Sequence, residues 1–144
     1  MIGSQLATSL YRQMLHGILD AWNAHDVERL VEFFAPDYIG YDVAQAAPVC
    51  GLEGISVSFM RYLYAFPDLH FNPDQIVIEG DQVILEWTAS GTHQGKFMHI
   101  PPTGRHVTVK GVSILTFSGS KIVRGQYIWD VAGLLRALGL LPEL

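Results

Sequence analysis

Leu6, Leu10, Met14, Ile18 and Trp22 recur at every fourth position near the start of the chain, and Leu15 widens the apolar stripe. Such spacing sets apolar side chains along one side of a helix, so a first helix is predicted over about residues 4–23. Asp26 then precedes VERLVEFFA, where its carboxylate can accept from the free amides of a helix start. Pro36 closes that run, which predicts a short second helix. YIGYDV reads as a strand, AQAAPVCG as a loop, and a third helix is predicted from about Leu52 to Ala65, stopped before Pro67.

From there the hydrophobic period switches to two. Strands are predicted in LHFNPDQIVIEG, QVILEWTASGTHQG, HVTVKGVSILTF and KIVRGQYIWD, with turns at Gly80-Asp81, Pro101 to Gly104 and Ser118 to Ser120. Helices followed by long antiparallel strands indicate an α+β fold, with a curved, mostly antiparallel sheet wrapped around three N-terminal helices. Strand parity sets Val83, Leu85, Trp87, Ala89 and Gly91 toward the helices. On the next strand Val107, Val109, Gly111, Ser113, Leu115 and Phe117 share a face, and on the last Val123, Gly125, Tyr127 and Trp129 do.

Large rings beside Gly111 and Ser113 predict a cavity with aromatic walls and a small-residue floor, because a dense interior tolerates few positions left small. The alternative is a filled core, for which Phe59, Met60, Tyr62, Leu63, Tyr64 and Phe66 of the third helix suffice. Tyr127 and Trp129 stand out, as rings with broad apolar area and one polar handle each. Tyr38, Tyr41, Tyr62 and Tyr64 add further hydroxyls.

Composition narrows the function classes. The 144 residues, 49% of them hydrophobic, suit one domain over residues 1–144 with a substantial core, and no repeat or low-complexity linker divides it. A formal net charge of −5, with Lys and Arg scattered singly, offers no basic patch for nucleic acid. Arg12, Gln13 and His16 interrupt the first apolar segment, which is neither a signal core nor a membrane span, and a cytoplasmic protein without membrane partners is expected. Cys50 is the one cysteine and the six histidines are dispersed, so neither a disulfide nor a metal centre is expected, and no cofactor.

Two polar residues could carry chemistry. Asp42 shares strand parity with Tyr38 and Gly40 and could enter the pocket as a base, although a solvated strand end is the commoner situation for such a residue. His93 has the parity of Trp87 and could meet a ligand near the mouth, or be an ordinary surface histidine. Asp130, before VAGLLRALG, reads as the cap of a C-terminal helix. Cys50 is either a reactive thiol or a small buried residue.

The segments AWNAHDVERLVEFFAPDYIGYD, AFPDLHF, GTHQG, IPPTGR and WDVAGLLRALGLLP cover nearly the whole chain. In order and spacing they resemble the SnoaL-like polyketide cyclase branch of the nuclear-transport-factor-2-like proteins. That resemblance implies a cone-shaped fold, a pocket for a bulky apolar ligand, and a homodimer joined through the outer sheet face, where Glu86, Lys110, Arg124 and Gln126 lie. It also implies an aspartate, a histidine and an amide at the positions held here by Tyr127, Ser113 and Gly40. A phenol with a reference pKa of about 10 is a poor base near neutral pH. An epoxide-hydrolase arrangement would need an aspartate at Tyr127 as well.

The expectation is therefore a non-catalytic pocket for a hydrophobic small molecule such as a steroid, secosteroid or polycyclic polyketide, produced by engineering or by natural divergence. Its ligand contacts are expected at Tyr127, Trp129, Ser113, Gly111, Trp87, Leu115, Gly40, Tyr38, Phe59 and Leu63. The alternative is a polyketide or ester cyclase, or a related isomerase or epoxide hydrolase, in which Asp42 or His93 moves the proton.

Overall fold

A computed structural model describes residues 2–142, with side chains from residue 5 on. Tyr11, Met14, Leu15, Ile18 and Leu19 form the buried side of α1 (Ile2–Asn23), whereas Leu6 and Leu10 are exposed. A strict spacing of four overshoots a full helical turn by about 40° at each step, so the predicted stripe winds off the core face toward its N-terminal end. Asp26 caps α2 (Val27–Val31) by accepting from the Arg29 amide at 3.1 Å.

The second helix is shorter than predicted, because β1 (Phe34–Asp42) already begins ahead of Pro36. A register shift between Phe34 and Ile39 accommodates that proline, which has no N–H to give a ladder. The predicted loop contributes the two-residue β2 (Val49–Cys50), followed by α3 (Gly51–Ala65). Next come β3 (His70–Glu79), β4 (Gln82–Thr92), β5 (His106–Ser118), β6 (Lys121–Trp129) and α4 (Val131–Ala137), the last capped by Asp130 through the Gly133 amide at 2.8 Å. β4 stops at Thr92, short of the predicted Gly95.

The six strands form one sheet in the order β2-β1-β6-β5-β4-β3. All neighbours are antiparallel except β1 and β6, which run parallel. Inner-face parity holds along β4 and β5, where Val83, Leu85, Trp87, Ala89 and Gly91 and then Ser113, Leu115 and Phe117 are buried. On β6 it slips at one end: Ile122, not Val123, is the buried residue, because a register shift between Thr116 and Phe117 reverses the faces there. α1 and α3 lie across the inner face, with Tyr11 stacked on Phe117 at 4.5 Å and Trp22 against Phe59 at 4.6 Å.

Side-chain locks hold helix and sheet in register. Asn23, at the end of α1, receives the Phe71 amide at 2.8 Å and donates to the Phe71 carbonyl at 3.0 Å. Asp68 accepts from the Thr92 amide at 2.6 Å and from its hydroxyl at 2.8 Å. Among the described residues no helix is long and apolar enough to cross a membrane.

Candidate functional site

Between α1, α3 and the inner face of the sheet lies a cavity of about 160 Å³. Leu15, Ile18, Leu19, Phe59, Leu85, Trp87 and Leu115 make most of it apolar. Its volume is close to that of an apolar cavity of about 150 Å³ that takes up benzene. A single ring fits; a fused tetracycle requires side chains to move.

One end of this cavity is polar. Asp42, at the last position of β1, is the one charged side chain among the described residues that line it. Its Oδ1 accepts from Trp129 Nε1 at 3.0 Å and the Ala44 amide at 2.8 Å, and its Oδ2 from the Tyr62 hydroxyl and, at 3.4 Å, from Gln45. Beside it the Tyr38 and Tyr127 hydroxyls are 2.6 Å apart. That bond consumes one of their two hydroxyl hydrogens and leaves the other for a ligand oxygen.

Burial, followed by the hydrogen bond to Tyr38 that partly opposes it and the nearby Asp42 charge, pushes the Tyr127 phenol up to about 12. Burial together with Tyr127 raises Tyr38, and burial together with Asp42 raises Tyr62. All three phenols are neutral donors at ordinary pH.

Glycine makes this cluster possible. Gly40 and Gly125 face each other across the β1–β6 pair, and a Cβ on either would lie within 2.4 Å of the Tyr38 hydroxyl. Gly40 is thus the cradle for the tyrosine pair, not a ligand contact. Gly111 is likewise not a vacant floor: a Cβ there would meet the Trp87 ring at 2.3 Å and Trp129 at 2.7 Å. Ser113 lines the cavity, but its hydroxyl accepts from Trp87 Nε1 at 3.0 Å.

Of the remaining expected contacts, Tyr38, Phe59, Trp87, Leu115, Tyr127 and Trp129 line the cavity. Leu63 does not; it packs half-buried one helical position from Tyr62, which takes the cavity side. Asp42 enters the cavity, contrary to the solvated strand end. His93 is neither a ligand contact nor a surface residue. It is fully buried beyond Phe66, its Nδ1 3.0 Å from the Thr103 hydroxyl, and its Nε2 has no hydrogen-bond partner among the described residues. Cys50 is exposed and not a small core residue. Sequence parity alone did not reveal Tyr62 as the partner of Asp42, since the two lie on different elements. No group of three or more His, Cys, Asp or Glu with metal-site geometry occurs among the described residues.

A family model described as SnoaL-like polyketide cyclase matches residues 12–138. The fold is similar to that of AclR from Streptomyces galilaeus, provisionally assigned as a hydroxylase, at 31% identity and a TM-score of 0.82, covering 92% of this chain and 87% of that one. TsrD from Streptomyces laurentii is 28% identical with a TM-score of 0.83, over 92% of this chain and 97% of its own. IdmH from Streptomyces antibioticus, provisionally a polyketide cyclase, is 30% identical with a TM-score of 0.77, over 89% and 97%. No curated protein matches the chain.

Proposed function

Because this chain belongs to the SnoaL-like polyketide cyclase family, we propose that it takes a ring-bearing, polyketide-like carbonyl compound into the cavity and that Asp42 moves a proton there. The observation that carries this reading is the carboxylate at the polar end of an otherwise apolar cavity. Asp42 pairs across the β1–β6 ladder with Tyr127, the position to which the family resemblance assigns an aspartate. On this reading the carboxylate stands one strand over from the family position, about 4.8 Å across the ladder.

In the proposed step the Asp42 carboxylate removes a proton from a carbon next to a carbonyl. The free hydroxyl of the Tyr38–Tyr127 pair donates to the developing enolate oxygen. The carbanion adds to a second carbonyl of the same molecule, one C–C bond forms, and the proton on Asp42 passes to the new alkoxide. Binding must displace a donor from Asp42, and Oδ2 is the oxygen to exchange at, since the Gln45 contact there is the longest of the four at 3.4 Å and the Tyr62 hydroxyl beside it can rotate away.

Incubation with aromatic β-polyketones tests the proposal. Asp42→Asn is expected to lower turnover by at least about 100-fold, the range of a lost general base, with ligand affinity kept within a few-fold. Unchanged turnover in that variant would refute the assignment. A second reading, a non-catalytic pocket for a hydrophobic molecule, is favoured by the donors that already occupy both Asp42 oxygens. Saturable binding with no conversion of any compound would select it. A homodimer through the outer sheet face, where Ile128 is half exposed, belongs to the same proposal.

A further inference from the structure

A second concavity adjoins the first. An open cleft of about 810 Å³ runs between α3, the 44–50 segment and the 96–99 turn, and it shares Val49, Ser58 and Tyr62 with the cavity wall. Tyr62 therefore forms a partition with Val49 and Ser58, and a ligand longer than one ring that passes this wall continues into the cleft.

Charge along the cleft is uneven. Glu53 sits in the first turn of α3, whereas Arg61 is eight residues further on, a rise of about 12 Å. The 94–95 amides donate to the Ala65 carbonyl, and Phe97 packs 5.5 Å from Tyr62. These contacts bring Lys96 to the Arg61 end, beside the partition. Both cations are exposed; Arg61 donates to Gln45 at 3.0 Å, and Lys96 has no hydrogen-bond or ion-pair partner among the described residues. In a chain of net charge −5, two cations at one end of a cleft attract an anion to a molecule that otherwise repels it.

Resting on the proposed use of the cavity, we infer that the ligand is bipartite. Its ring lies in the cavity and a carboxylate-bearing tail lies in the cleft, where Arg61 and Lys96 are the counter-charges. Arg61 can keep its Gln45 contact and still offer its remaining N–H groups, since a guanidinium has five donors. The tail must pass the Tyr62 side of the wall, so a short alkyl linker between ring and carboxylate suits the arrangement. The two charges then select for acids over the corresponding esters.

Calorimetric titration of the full chain with 4-phenylbutanoate and with its methyl ester tests this. At low ionic strength the acid is expected to bind about tenfold more tightly than the ester, two exposed ion pairs giving about threefold each. Lys96→Gln and Arg61→Gln should each lower the acid-to-ester ratio about threefold, and added salt should lower it in the parent chain. The Lys96 variant guards against an Arg61 effect that acts only through Gln45. Equal affinity for acid and ester, or a ratio unmoved by both variants, overturns the inference and leaves the cavity reading standing. Failure of both compounds to bind overturns the two together.

Discussion

Asp42 and the aromatic hydroxyls around it are where single substitutions should speak most clearly. Tyr62→Phe removes one donor from the carboxylate without opening the cavity, so compounds that present a donor of their own are expected to bind several-fold more tightly, measured by Trp fluorescence titration. Ser113→Ala leaves the buried Trp87 N–H without an acceptor and is expected to cost about 1–3 kcal/mol in urea unfolding. The tyrosines also set an alkaline limit. Tyr127 is raised from 10.0 to about 12 in the folded chain, so the stability it contributes is complete below pH 10.0 and is lost as pH rises toward 12. Denaturation midpoints followed across that interval should fall, and fall less steeply in Tyr127→Phe.

The locks between elements matter next, because they set where the cavity walls stand. Asp68 joins the segment before β3 to the end of β4. Burial alone would raise its carboxyl, but the Thr92 amide and hydroxyl outweigh that and hold it below the ordinary 3.8. Stability from this contact is present above pH 3.8 and lost as pH falls through the lower folded value. Asp68→Asn should therefore destabilise the chain at neutral pH and make little difference in strong acid, as acid-unfolding curves would record. The β1–β6 pair is the other sensitive junction. Gly125→Ala would drive a methyl group into the Tyr38 and Tyr127 hydroxyls. Loss of ligand affinity together with a lower melting temperature is the expected result.

For the molecule as a whole, size selection follows from a cavity of about 160 Å³ with Tyr62 in its wall. Monocyclic ligands are expected to raise the melting temperature more than steroids or tetracycles do, and Tyr62→Ala, which joins cavity to cleft, should reverse that order in a thermal-shift series. Much of this architecture was legible in the chain itself. Period-two alternation fixed which sides of β4 and β5 face inward, and capping residues marked α2 and α4, because those signals are local to a few residues. Local signals failed where neighbours in space are distant in sequence. Pro36 was absorbed by a shift against β6, Ile122 was turned inward by a bulge against β5, and Gly40 and Gly111 were filled by rings from other positions. Parity likewise placed Asp42 on the inner face, but parity cannot distinguish a solvated strand end from a carboxylate held by Tyr62 and Trp129. The sequence by itself determined most of the elements, the inward faces of β4 and β5, and the family. Only the tertiary structure decided that a carboxylate stands at the polar end of the cavity, because its partners come from β6, which pairs with β1 across some eighty residues of sequence, and from α3, which packs against that sheet.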